Sequence, residues 1–488
     1  MRSYPRLFIG GEWVSPAGES AIDVVSPHSG ELVGSVPEGT PADVDRAVAA
    51  ARRAFDHGDW PRLDPLERIA VLERCSALYR ERLREMAALI TDEMGSPISF
   101  SRNGQAPGAW MILNAFIDVA KNFPWEEHRA GVMTEDVIVR REPAGVVGAI
   151  VPWNAPQVVT MSKLAPALLA GCCVVLKPAP ETPLDANLLA EIFAAAGLPA
   201  GVLSVVPTGR EVAEHLVRHP GVDKIAFTGS TAVGRRIGAI CGEQLKRCSL
   251  ELGGKSAAII LDDADFAATV RGLKFASLVN NGEACVAQTR LLVSHDRHDE
   301  FVAALAEMVA GLRVGDPADP RTDIGPLVAQ RQQARVAGYI AIGQREGATP
   351  VVGGDGMPEG LDAGWYVRPT VFTAVSNDMR IAREEIFGPV LSVIPYSDVN
   401  DAVRIANDSE YGLAGSVWTS DGQAGLSVAR RVRSGIFGVN NGGMDFKAPF
   451  GGMKSSGIGR EYGHEGLEEY VETKTIVPDA VVAGQAPG

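Results

Sequence analysis

Residues 146–177, VVGAIVPWNAPQVVTMSKLAPALLAGCCVVLK, decide the fold. They open on a short apolar run, Val146–Val151, pass through Pro152-Trp153-Asn154, continue as a helix-like segment, Val158–Ala170, and end in a second apolar run, Cys173–Leu176. Runs this short and uniformly apolar read as strands buried on both faces, and strand, helix, strand reads as a right-handed unit of parallel sheet. The same segment is the nearest the chain comes to a membrane span. Ser162, Lys163, Pro166 and Gly171 interrupt it and Lys177 follows directly, so a buried helix running into a buried strand is the better reading.

The pattern continues on the C-terminal side. Val202–Val206, Lys224–Phe227, Ser249–Leu252 and Ala257–Leu261 read as further buried strands, with helices expected at Leu184–Ala196, Glu211–Arg218 and Ala232–Cys241. Pro183 opens the first of these helices and Gly197-Leu198-Pro199 closes it. Repeats of about 20–30 residues predict a Rossmann-type, doubly wound α/β sheet. On the N-terminal side, Ala42–Phe55 and Leu66–Thr91 read as long amphipathic helices, and Val132–Arg141 as an exposed or edge strand bounded by Gly131 and Pro143. After a helical Phe266–Asn280, a second alternation runs through Leu291–Val293, Glu300–Leu312, Val328–Glu346, Leu391–Pro395, Asp401–Asn407, Ser416–Thr419 and Ile436–Asn440, predicting a second α/β domain. Tyr470–Val477 is a last β-like run before a Pro/Gly/Ala tail expected to fray.

A length of 488 residues suits roughly two or three domains. Lys and Arg number 46 against 60 Asp and Glu, a net charge of −14 that repels nucleic-acid phosphates and anionic membranes, and no basic patch overrides it. The six cysteines, Cys75, Cys172, Cys173, Cys241, Cys248 and Cys285, include no C-x-x-C pair, which predicts reduced thiols and a cytoplasmic protein. Neither terminus shows a leader or lipidation pattern.

Several catalytic motifs fail when tested. No G-x-G-x-x-G, G-x-S-x-G or H-E-x-x-H is found, and Gly254-Lys255-Ser256 lacks the earlier P-loop glycine, where Ser249 stands. No metal site is expected. What remains is a set of polar or reactive residues where strands end, which is where doubly wound sheets bind ligands. Asn154 follows the first strand, and equally could be a turn residue capping a helix. Lys177 ends the second strand and can reach a ribose or phosphate, or stand solvated in its Pro-rich loop. Gly229-Ser230 opens a helix suited to a pyrophosphate, or is an ordinary cap. Glu251 ends a strand against Gly253-Gly254, where burial would make it a general base and a partner would make it structural. Cys285 lies in a small-residue loop, 281–290, where a nucleophile and an inert buried thiol look alike.

Together these segments resemble the aldehyde dehydrogenase superfamily: PWN at 152–154, KPAPETP at 177–183, FTGS at 227–230, ELGGKS at 251–256, the loop around Cys285, EEIFGPV at 384–390 and PFGGMKSSGIGRE at 449–461. The likeness runs from about Leu7 to Val477, and the separation of 34 positions from Glu251 to Cys285 agrees with the family's spacing of base and nucleophile. The resemblance implies a dinucleotide-binding domain over 1–122 and 143–253, a catalytic domain over 254–458, and an assembly element and tail over 123–142 and 459–488. It implies Cys285 as nucleophile, Glu251 as base, Asn154 as oxyanion donor, and Lys163 with Glu461 as a proton relay. It implies cofactor contacts from Trp153, Lys177, Ala179, Pro180, Glu181, Gly229, Ser230, Gly234, Leu252, Gly253, Glu385 and Phe387. NAD is the expected cofactor, with NADP possible, because Pro180 stands where many NAD-preferring members carry a glutamate and Glu181 follows one place later. Ala155 and Met444 replace aromatics common in the family, and Ala284 and Val286 leave Cys285 without a neighbouring thiol. A small-molecule aldehyde substrate and a homo-oligomer, dimer or tetramer, are implied. Two other readings are a CoA-acylating dehydrogenase, against which Glu251 counts, and a non-catalytic protein keeping the fold, against which the intact thiol, base and amide count.

Overall fold

The structure is a computed structural model and describes residues 2–478. The expected tail beyond Val477 lies almost wholly outside the described residues. The first sheet has the strand order Gly457–Ile458, Arg247–Glu251, Lys224–Thr228, Val146–Ile150, Cys173–Lys177, Leu203–Val205, Leu7–Ile9, Glu12–Val14. Its five central strands are parallel, and antiparallel strands from both ends of the chain close its edges. Val146–Ile150 and Cys173–Lys177 are buried along their whole length, as apolar runs covered by helices on both faces must be. Gly457 and Ile458, placed from sequence with the second domain, thus return to pair with Arg247–Glu251.

The second sheet runs Thr349–Val352, Thr370–Thr373, Val390–Tyr396, Arg290–Ser294, Ala257–Ile260, Gly415–Trp418, Gly438–Val439, parallel except for the first pair. Only Leu252 to Ser256 separate the strand ending at Glu251 from the one beginning at Ala257, so the chain steps directly from one sheet to the other. A third sheet of three strands, Val471–Ile476, Asp136–Pro143 and Glu126–Ala130, stands apart from both.

Two expectations are corrected. Leu66–Thr91 is two helices, Pro65–Glu81 and Leu83–Met94, broken at Arg82, whose side chain bridges Glu85 (2.6 Å) and Glu191 (3.1 Å). No Gly or Pro marks the break, which falls where Arg82 joins this ion-pair network. Val132–Arg141 is not one strand, because residues 131–135 form the turn between Glu126–Ala130 and Asp136–Pro143, with Val132 and Met133 fully exposed at its tip. Helix Ala106–Lys121, which the strand–helix alternation does not foresee, packs along helix Pro156–Ala170.

Candidate active site

Register aligns the carboxyl ends of the first sheet: Ile150 faces Lys177 and Phe227, and Thr228 faces Glu251. From Val146–Ile150 the chain winds one way to Cys173–Lys177 and Leu203–Val205, then restarts on the other side at Lys224–Thr228. That reversal is the switch point at which doubly wound sheets open a ligand crevice. Trp153-Asn154 and Gly229-Ser230 flank it. Facing it is the amino edge of the second sheet, where the Cys285 loop leads into Arg290–Ser294 and Glu385–Phe387 leads into Val390–Tyr396. The linker threads between them: a Cβ on Gly253 would lie 2.5 Å from Glu385 Oε2, and one on Gly254 2.5 Å from the Cys285 carbonyl oxygen. At Gly254 only glycine leaves the Cys285 loop in place, while at Gly253 a side chain would push the Glu385 carboxylate aside.

The thiol loop is held by two left-handed asparagines, Asn280 (φ 55°) and Asn281 (φ 62°), a conformation that Asn tolerates better than most residues. Asn281 donates to the carbonyls of Gly95 (3.1 Å) and Pro326 (2.9 Å) and accepts from Gly325 N–H (2.6 Å). Asn280 donates to the Asn154 carbonyl (2.7 Å) and accepts from Gln105 (2.9 Å). The Asn154 side-chain amide donates to the Glu283 carbonyl (3.0 Å), two residues before Cys285. One amide proton is therefore anchored to the thiol loop while the other is free to point at a ligand. Burial, and then the carboxyls of Glu385, Glu251 and Glu461, push the Cys285 thiol up to about 12, so in the free site it holds its proton.

Glu251 is 3% exposed and neither carboxyl oxygen has a hydrogen-bond partner among the described residues. Burial first, and then the nearby Glu461 carboxylate, raise it well above the ordinary carboxylate range. Glu461 is in turn ion-paired with the buried Lys163 and accepts from Ser162 Oγ (2.8 Å). An unpartnered carboxyl beside a fully satisfied ion pair is the pattern of a group kept ready to take a proton.

The crevice also fits a dinucleotide. Ser230 makes no capping hydrogen bond to the first turn of helix Thr231–Glu243, leaving those N–H groups available to a phosphate. The buried Thr228 hydroxyl beside it has no hydrogen-bond partner among the described residues. Burial pushes the Lys177 amine down to about 8, with Glu181 acting against that shift. Glu385 Oε1 accepts from Gly254 N–H (2.9 Å) and its carboxyl is raised by burial. Phe387, strained at φ 64°, meets Trp153 edge to face (centroids 5.4 Å), joining the two sides of the cleft. Ala179 is buried and Pro180 partly buried in the loop after Lys177, while Gly234 and Leu252 touch each other where the helix packs on the linker.

Several contacts lay beyond the sequence reading. Gln332 donates to the Phe387 carbonyl (2.6 Å) and Arg335 to those of Glu385 and Ile386, so helix Gln330–Arg345 grips the loop. Arg331 on the same helix pairs with Glu181 across the cleft. Lys255 is buried, and its amine, which burial pushes down to about 7, has no partner among the described residues. The polar face of the 330–345 helix was a possible signal, but it looks like any solvated face. Among the described residues no cluster of three or more His, Cys, Asp or Glu could hold a metal, and no helix is long and apolar enough to cross a membrane.

A dinucleotide-type crevice facing a partly buried thiol, a buried amide and a free carboxyl defines an oxidoreductase that works through a nucleophilic cysteine. The chain belongs to the aldehyde dehydrogenase family, whose model matches residues 13–476. It is 45% identical to the geranial dehydrogenase of Castellaniella defragrans, over 97% of this chain and 98% of that one. An aldehyde dehydrogenase of Mycobacterium tuberculosis solved with NAD+ superposes with a TM-score of 0.96 at 51% identity, covering 98% of each chain. A cysteine-to-alanine variant of Pseudomonas syringae aldehyde dehydrogenase C, solved with NAD+ and octanal, gives 0.94 at 42% identity, covering 99% of this chain and 98% of that one.

Proposed function

We propose that the protein oxidises an aldehyde to a carboxylate with NAD as hydride acceptor, through a thioester on Cys285. The observation that carries this is the convergence of Cys285, Asn154 and the unpartnered Glu251 between the two sheet edges. The Cys285 thiol passes its proton through water to bulk solvent and attacks the aldehyde carbon as thiolate, the S–C bond forming as the C=O π bond breaks. The oxyanion is held by the free Asn154 amide proton and the Cys285 backbone N–H. The dinucleotide, when bound, supplies the hydride acceptor that allows the thioester to form. Glu251 then deprotonates the water that hydrolyses the thioester, and Lys163 with Glu461 passes the proton onward. Ser230 and the free first turn of its helix, with Gly229, hold the pyrophosphate; Lys177 the adenine ribose; Glu385 the nicotinamide ribose; Phe387 and Trp153 the ring side. Residues 1–122 and 143–253 serve the dinucleotide and 254–458 the thiol.

An apolar aldehyde is the substrate class we favour, supported by the partly buried Val158 and Phe446, which meet at Gly108 of helix Ala106–Lys121, and by Trp110 on the same helix. NADP is the second cofactor to test, since Glu181 is tied up by Arg331 rather than free to repel a 2′-phosphate. The open edges of Glu126–Ala130 and Val471–Ile476 support a homo-oligomer, dimer or tetramer, and the six cysteines, all free thiols, support a cytoplasmic location. Replacing Cys285 by Ala tests the core: NADH formation with aldehyde should vanish while NAD still binds, and retained turnover refutes the reading. A panel of aldehydes of increasing chain length, with NAD and NADP in parallel, and light scattering of the intact protein, test the remainder.

A further inference from the structure

The helix that opens at Ser230 and the strand that ends at Glu251 run side by side in opposite directions, and their contacts step down in register. Gly234 meets Leu252, and Gly238 meets Leu250, where a Cβ would lie 3.5 Å from Leu250 Cδ1. One further turn along the helix is Cys241, within about 60° of both glycines around the axis at 100° per residue. Two residues back along the strand, on the same face, is Cys248. The glycines bring the helix close to the sheet, and a tight reversal, with Lys246 N–H donating to the Cys241 carbonyl (2.8 Å), closes the far end. The register therefore sets the two cysteine side chains against each other, Cys241 buried and Cys248 partly exposed.

We infer that Cys241 and Cys248 form an oxidisable thiol pair, a modification site separate from Cys285, that closes to a disulfide on exposure to a peroxide. Cys248 is the thiol open to solvent. The neighbouring Cys241 thiol, and after that the positive charge of Lys224, bring it down to about 7 against the pull of burial, while Cys241 is raised and keeps its proton. The Cys248 thiolate attacks one peroxide oxygen; the O–O bond breaks, an S–O bond forms, and the leaving hydroxide takes a proton to become water. The Cys241 sulfur then displaces the sulfenic hydroxyl, which leaves as a second water with the Cys241 proton. The thiols lose two electrons and the peroxide gains two. The other buried thiols, Cys75, Cys172 and Cys173, are raised by burial and less able to react.

Trypsin cuts after Arg236, Lys246, Arg247 and Lys255, so the disulfide would join peptides 237–246 and 248–255. Treating the full protein with a few equivalents of hydrogen peroxide, quenching with an alkylating reagent and digesting without reductant should give that linked pair as the main oxidised species, lost again with dithiothreitol. In Cys241→Ser, which touches no residue assigned to the reaction, dehydrogenase activity should be unchanged, no linked pair should form, and Cys248 should be trapped by dimedone as sulfenic acid. Both thiols remaining free while other cysteines oxidise, or Cys248 appearing only in mixed or intermolecular disulfides, overturns the proposal.

Discussion

Glu251→Gln separates the two halves of the proposed reaction. The carboxyl is buried with no hydrogen bond to either oxygen, so an amide of the same shape orphans no protein partner, and fold stability should change by less than about 1.5 kcal/mol. What is lost is the ability to take a proton. A positioned general base contributes about 10²–10⁴ in rate, or about 2.7–5.4 kcal/mol at 1.36 kcal/mol per decade. That loss falls only on hydrolysis of the thioester, because Glu251 is assigned no part in forming it. Rapid mixing with NAD and aldehyde should therefore show a burst of about one NADH per Cys285 thiol, followed by a slow phase reduced by that factor. In the unaltered enzyme the slow phase should rise with pH as Glu251 deprotonates, with a midpoint above the usual carboxylate range, since burial and Glu461 both raise it. The glutamine variant should lose that limb. Disappearance of the burst along with the slow phase would place Glu251 before hydride loss and refute this division of labour; a slow phase within tenfold of the original would refute its role as base.

Asn154→Ala removes one oxyanion donor and should lower kcat by about 10²–10³ with the burst slowed as well, measured in the same rapid-mixing experiment. Alkylation of Cys285 by iodoacetamide in the free enzyme should be slow at pH 7 and still rising at pH 10, as expected of a thiol held near 12; a plateau below pH 8 would contradict it. Arg331→Ala frees the Glu181 carboxylate, so the KM for NADP should rise about tenfold relative to that for NAD, about 1.4 kcal/mol of discrimination. Asp185, buried near Glu93, is raised by burial from 3.8 to about 8. The folded state thus keeps a proton that the unfolded chain releases, so this group costs stability progressively as pH climbs from about 4 to 8 and nothing further above that. The Tm difference between Asp185→Asn and the unaltered protein should widen over that window in favour of the variant.

The parts of the site legible in the sequence are those that sit at the ends of buried strands. Apolar runs such as Val146–Ile150 and Lys224–Thr228 can be buried on both faces in only one way, and parallel register then brings Asn154, Lys177, Ser230 and Glu251 to a common edge whatever the helices do. Residues that reach the site from a helix face were illegible for the opposite reason. Gln332 and Arg335 have the composition of a solvated surface, and only the docking of helix Gln330–Arg345 against the loop at Glu385 turns their donors inward. The break at Arg82 is hidden likewise: one of the partners that Arg82 meets there, Glu191, lies more than a hundred residues along the chain. Lys255 shows both limits at once: its position in ELGGKS is fixed by the strand that precedes it, yet nothing local says that its amine is buried between Arg290 and Glu385 without a partner among the described residues. Sequence therefore reads out the edge on which the chemistry stands. The groups that tune it come from elements whose packing is decided elsewhere, and mutating Gln332 or Arg335 should disturb cofactor affinity more than the chemical step, because they hold the Glu385 loop rather than touch the thiol.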